Sequence, residues 1–235
     1  MIPQVPLGLR GEHQRINASL AVALAKKFIE VKGKPLPDAD AVLPESFVQP
    51  LAETKWPGRC QTVTKGDVTW LLDGAHTVES LRSCGEWAWS TPDKPNVLIF
   101  NCSGGRQGET LLGALLDAGS KTAGVTREEL GKTFDTVIFC TNVTYTDGHF
   151  KGDLTAAAID PNDLAALATQ RQLRDAWLAI NPGYDPEKVH AVPSIQHAVN
   201  IVDGLGQKNV LVAGSLHLVG GVMEVAGLQF ALGME

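Results

Sequence analysis

The sequence predicts an α/β fold: a mostly parallel sheet with helices on both faces, preceded by a helix and an irregular connector. Three observations carry this. Apolar runs of strand length recur at residues 96–100, 136–140 and 209–213, with a weaker one at 189–192. Stretches of helical periodicity separate them, at about 109–119, 161–180 and 194–205. Runs that are apolar throughout belong to strands buried on both faces, and strands alternating with helices supply the crossovers of a parallel sheet. Finally, the segments after the strands are all polar or glycine-rich: Asp73-Gly-Ala-His-Thr, Asn101-Cys-Ser-Gly-Gly-Arg-Gln-Gly, Thr141-Asn-Val-Thr-Tyr and Gly214-Ser-Leu-His-Leu-Val-Gly-Gly. Open α/β sheets bind ligands beyond the carboxyl ends of their strands. The expectation is a Rossmann-like sheet with its site along that edge.

Taken in order, residues 15–31 read as a helix, with Ile16, Leu20, Val22, Ala23, Ala25 and Phe28 at near-helical spacing and Lys26 and Lys27 in its C-terminal half. Pro35, Pro37, Pro44 and Pro50 then make residues 32–55 an irregular connector. A boundary follows near residue 54, giving units 1–54 and 55–235. Residues 60–64 and 68–72 form a hairpin around Lys65-Gly66-Asp67. Thr77 is placed to cap a helix running to about Trp89, with Val78, Leu81, Gly85 and Ala88 on one face.

The 235 residues suffice for one sizeable core, or for one domain and part of another. A net charge of −6 argues against a nucleic-acid surface, which needs dense basic patches. No apolar run reaches 18 residues, so no membrane span is expected. The N-terminus lacks the layout of a signal peptide. Cys60, Cys84, Cys102 and Cys140 are widely spaced without a C-x-x-C pair, and read as reduced core cysteines of a reducing compartment.

Candidate residues cluster at the strand ends. Arg59 follows the rigid Trp56-Pro57-Gly58, and a guanidinium is a permanently charged fork suited to phosphate; the plain alternative is a surface arginine. Asp73, directly after an apolar strand, can accept from ribose hydroxyls or loop amides, or merely form an Asx turn. His76 stands before a helix N-terminus, which favours anions, or is structural. Ser215 and the amides after it can hold a carboxylate, or simply make a strand-to-helix turn. Residues 101–108 lack G-x-G-x-x-G spacing and read as a site wall. There is no G-x-x-x-x-G-K-[ST], and no His/Cys/carboxylate cluster at metal-ligand spacing; His149, His190 and His197 are scattered.

G-E-H-Q-R-I-N-A at 11–18, W-P-G-R at 56–59, L-D-G-A-H-T-V-E-S at 72–80, V-L-I-F-N at 97–101, F-C-T-N at 139–142 and G-S-L-H-L-V-G-G at 214–221 stand in family order along nearly the whole chain. On these the chain resembles the folylpolyglutamate synthases, the folate branch of the Mur-type ATP-dependent amide ligases, in a fungal form. Pro50 departs from the glycine expected there, which concerns local loop geometry. The resemblance implies a Mur ligase C-terminal domain preceded by the end of an ATP-binding domain. It also implies a reaction in which ATP converts the γ-carboxylate of a tetrahydrofolate (poly)glutamate to an acyl phosphate, which the amine of L-glutamate attacks. Arg59 and Asp73 then match residues that contact ATP, and His76 and Ser215 match residues near the incoming glutamate and acyl phosphate. His13, Gln14 and Asn17 would face the nucleotide.

The cofactors implied are ATP and Mg2+, with a monovalent cation as a further candidate. The P-loop, the magnesium ligands and most of the folate pocket lie before residue 11 in the family. The expectation is therefore a fragment with negligible ligase activity alone. The full-length protein would be a cytoplasmic or mitochondrial monomer. Two other readings stay open: a non-catalytic nucleotide- or partner-binding Rossmann-like module, and a dihydrofolate synthase-type ligase.

Overall fold

The computed structural model describes residues 2, 5–102, 108–146 and 167–232. The chain divides into two compact units, Met1–Trp56 and Pro57–Glu235.

The first unit is built on helix α1 (His13–Val31) and a short helix α2 (Val48–Glu53). Its core is small: Ile2, Ala18 and Val22, with Val5, Leu7, Leu43, Phe47 and Leu51 against them. One sequence expectation needs correction here. The connector is not irregular throughout, because residues 45–53 coil into a 3-10 turn and α2. Pro50 fits in the first turn of α2, where amides lack intrahelical partners in any case. Helix α1 buries Gln14, Ala18 and Val22, not the full set of apolar positions. Ile16, Leu20, Leu24, Phe28 and Val31 stand 60–71% exposed along a second stripe. A core this small covers one helix face only.

The second unit holds a six-stranded sheet: β1 (Gln61–Lys65), β2 (Val68–Leu72), β3 (Val97–Phe100), β4 (Thr136–Cys140), β5 (Val189–Val192) and β6 (Lys208–Ala213), in spatial order β1-β2-β6-β3-β4-β5. The β1–β2 hairpin is antiparallel and every other pairing is parallel. Among the described residues six helices accompany it: α3 (Val78–Ser90), α4 (Gly108–Ala123), α5 (Arg127–Lys132), α6 (Ala168–Ile180), α7 (Ile195–Asp203) and α8 (Leu216–Val225). The sequence anticipated only the start of α8, as a strand-to-helix turn at Ser215, and did not find α5. The N-terminal part of the helix expected over 161–180 lies outside the described residues.

Alternate strand residues feed two cores. Leu71, Leu98, Phe100, Val137, Phe139 and Leu211 pack with α3, α4 and α6 on one face. Trp70, Leu72, Val97, Ile99, Ile138, Val210 and Val212 pack with α7 and α8 on the other. Each such large side chain contributes roughly 1.5–3 kcal/mol by leaving water. The first face also carries a run of edge-on rings, Trp89–Phe134–Trp177–Tyr184, with centroids 5.9, 5.4 and 5.6 Å apart. The topology fixes where a ligand can enter. Strand β6 sits between β2 and β3, but its helix α8 leaves to the face opposite α3 and α4. Helices diverging from adjacent parallel strands leave crevices at the carboxyl ends, here on both sides of β6.

Candidate functional site at the carboxyl edge of the sheet

Three segments meet at the crevice beside β6: the turn before β1, the exit of β2 and the exit of β6. The turn is held in an uncommon shape, with Gly58 at φ +70° and Cys60 at φ +45°. Gly58 donates its amide to Gln61 Oε1 at 2.8 Å and accepts from the Gly74 amide at 2.9 Å. Close approach demands glycine here, since a Cβ at Gly58 would stand 2.9 Å from Val219 of α8. Arg59 therefore projects from a turn clamped on both sides, with a third of its side chain exposed.

At the exit of β2, the Asp73 amide donates to Val212 O at 3.0 Å and so extends the β2–β6 pairing past the last strand residue. The Asp73 side chain is buried. Its Oδ1 accepts from the Ala75 amide at 2.9 Å, the Asx turn expected of Asp-Gly, and faces Arg59 Nη1 at 3.9 Å. Its Oδ2 accepts from both the amide and the thiol of Cys60, at 3.2 and 3.0 Å. Burial pushes the Asp73 carboxyl above its ordinary value, while the Cys60 thiol and amide, Arg59 and the Ala75 amide pull it down. The same burial, with the Asp73 charge beside it, pushes the Cys60 thiol far up, so it stays protonated and donates.

Exposed His76 follows, its Nδ1 3.0 Å from Gly74 O. A carbonyl only accepts, so Nδ1 carries hydrogen, and in the neutral ring Nε2 is left as an acceptor. Thr77 caps α3 in a reciprocal capping box with Ser80, and the His76 amide donates to Ser80 Oγ at 3.0 Å. At the exit of β6, the Gly214 amide donates to Ala75 O at 2.7 Å. Gly214 has φ +99°, and a Cβ there would collide with the Asn101 carbonyl. Ser215 is the N-cap of α8, accepting weakly from the Leu218 amide at 3.4 Å. The first amides of α8 thus lie at the crevice, where a helix N-terminus attracts negative charge.

Arg59, Asp73, His76 and Ser215 are therefore brought together on one edge. His13, Gln14 and Asn17 lie together on α1 of the first unit: Asn17 Nδ2 donates to Gln14 Oε1 at 3.0 Å, and Gln14 Nε2 lies 3.1 Å from His13 Nε2. Sequence reasoning missed Cys60, which partners Asp73, and Gln170, whose Nε2 donates to Asn101 Oδ1 at 3.2 Å and Cys140 O at 3.3 Å to tie α6 to the ends of β3 and β4. Of the glycine-rich wall, residues 103–107 lie outside the described residues, as does His149. His197 is engaged by Ser194 Oγ at 2.8 Å. His190, on β5, is pushed below its ordinary value by burial. Among the described residues no group of three or more His, Cys, Asp or Glu side chains could hold a metal.

No family model matches the chain. Its curated relatives are informative. The folylpolyglutamate synthase of Saccharomyces cerevisiae (strain AWRI796) is 34% identical over 233 residues, covering 95% of this chain and 40% of that protein. The folylpolyglutamate synthase of Candida albicans is 35% identical over 241 residues, covering 95% of this chain and 46% of that protein. Over nearly its whole length the chain is similar to the folylpolyglutamate synthases. It spans less than half the length of these relatives. Two solved folylpolyglutamate synthases share the fold: the Mycobacterium tuberculosis enzyme complexed with ADP and AMPPCP, at TM-score 0.58 and 20% identity over 94% of this chain and 41% of that one, and the Thermotoga maritima enzyme, at TM-score 0.52 and 20% identity over 95% and 40%. The α/β fold expected from the sequence is that of the folylpolyglutamate synthases.

Proposed function

We propose that this chain forms one wall of an ATP-dependent glutamate ligase site, in which a folate γ-carboxylate is activated as an acyl phosphate and captured by the amine of glutamate. The observation that supports it is the clamped Arg59 turn beside the first turn of α8, in a chain similar to this family. Phosphoryl transfer asks a protein mainly for positioning and charge neutralisation. Arg59 is preorganised to supply a permanent positive charge at the crevice. Its flanking residues are already fixed, so little ordering remains when an anion arrives. The amides of Leu216 and His217 offer neutral donors to a second anionic group, such as the carboxylate of glutamate. His76 Nε2 is placed to accept a proton from a nearby amine. Asp73 serves these groups from inside the loop junction, where its oxygens are taken up by the chain's own donors and Arg59 is the charge presented outward.

ATP suits such a wall. Mg2+ would be held by residues outside this wall, as the resemblance implies. The four buried free cysteines accord with a reducing compartment, the cytoplasm or the mitochondrion.

An amide-resolved NMR titration with ATP tests the reading. The amides of residues 58–60, 75–77 and 216–217 are expected to shift in the wild-type chain, and Arg59→Ala to weaken that response by roughly tenfold, as for loss of a charge-assisted contact. Shifts confined to other regions, or an Arg59→Ala response equal to wild type, would overturn it.

A further inference from the structure

Cys60 lies in the one stretch of the site whose backbone conformation is unfavourable for its residue type. Its φ of +45° falls in the left-handed region, which a non-glycine residue occupies only at a cost in strain. The residue is 2% exposed. Two contacts offset that cost, and both go to one atom: the amide and the thiol of Cys60 each donate to Asp73 Oδ2. They hold the carboxylate by Oδ2. Its other oxygen is left facing Arg59 and the Ala75 amide. The ionisable groups acting on Asp73 and Cys60 are each other and Arg59, and both in turn act on Cys84 of α3.

We propose that Cys60 is a positioning residue: with its amide, its thiol pins the Asp73 carboxylate and through it sets the Arg59 guanidinium at the mouth of the crevice. The claim rests on the preceding reading only for its nucleotide arm. A hydrogen-bond donor at this position is what matters, so serine replaces cysteine and alanine does not. Without the thiol, Oδ2 keeps one donor in a buried setting where a second cannot come from water. The carboxylate is then less favoured over the acid, and the orientation of Arg59 loosens.

The test uses this chain as wild type, Cys60→Ala and Cys60→Ser, with aspartate carboxyl carbons labelled and the Asp73 resonance assigned by its loss in Asp73→Asn. The Asp73 titration midpoint is expected to rise in Cys60→Ala and to return to the wild-type value in Cys60→Ser. ATP affinity should fall roughly three- to tenfold in Cys60→Ala, the worth of one hydrogen bond, and recover in Cys60→Ser. An Asp73 midpoint unmoved by Cys60→Ala overturns the proposal. If the wild-type chain binds no ATP, the nucleotide reading fails while the carboxyl titration still decides the role of Cys60. If Cys60→Ala does not fold, the infrared S–H stretch of the wild type decides instead. Assigned by its loss in Cys60→Ser, that band supports the proposal if lowered by hydrogen bonding and refutes it at the position of an unbonded thiol.

Discussion

Asp73 shows how one residue can serve a site and weaken the fold that holds it. Its carboxyl is raised above the ordinary 3.8 by burial. A raised carboxyl keeps its proton in the folded state at pH values where the unfolded chain has lost it. The stability it contributes is therefore present below about 3.8 and is lost as pH rises through the folded value. Urea midpoints of wild type and Asp73→Asn, compared across pH, should show the wild type losing ground over that window and the difference levelling off above it; a wild-type advantage that grows with pH would contradict the assignment. Part of this was legible in the sequence. Asp-Gly after an apolar strand announces an Asx turn, and the Ala75 bond is that turn. Its partner Cys60 was not, because the contact spans 13 residues and cysteine usage alone suggests only core packing.

At the scale of elements, α3 and α4 approach closely through glycines whose roles differ within one helix. A Cβ at Gly119 would run into the ring of Trp89, whereas one at Gly113 meets nothing nearer than Arg127 Nη1 at 4.0 Å. Gly113→Ala should therefore stabilise by about 0.5–1 kcal/mol through helix propensity. Gly119→Ala should destabilise by about 1–3 kcal/mol through overpacking. Denaturant midpoints measure both, and equal effects would show that the α3–α4 contact is looser than described. Strands such as β4 were readable because burial on both faces leaves an uninterrupted apolar run. Helix α8 was not: Gly220 and Gly221 interrupt it, and its apolar residues point in most directions, so periodicity had little to act on. The short α5 has one turn and a half, too few for a pattern to show.

At the scale of the molecule, the chain joins a well-covered sheet to a first unit with a small core and an uncovered apolar stripe on α1. The sequence disclosed the apolar positions of α1 without saying which would be buried, because that depends on how much neighbouring surface exists to cover them. The stripe should bind an apolar dye. Leu20→Glu with Leu24→Glu is expected to reduce dye fluorescence markedly while shifting stability by no more than about 0.5 kcal/mol, as for exposed positions. A loss of stability well beyond that would mean that these residues are packed. The family's motifs at the crevice were the most legible feature of all. They are dictated by backbone geometry at Gly58 and Gly214 and by helix capping at Thr77 and Ser215, which leave few residue choices.

The tryptophans are unevenly distributed: Trp70, Trp87, Trp89 and Trp177 are buried, and Trp56 alone is exposed, at 61%. Light emission from this chain therefore divides into a blue component from shielded indoles and a red-edge component from one hydrated indole. That indole lies three residues before Arg59, within about 11 Å along the chain. A soluble quencher should extinguish the red component first. An anion settling on the arginine would perturb that component selectively, so the chain carries a spectroscopic reporter beside its own candidate site.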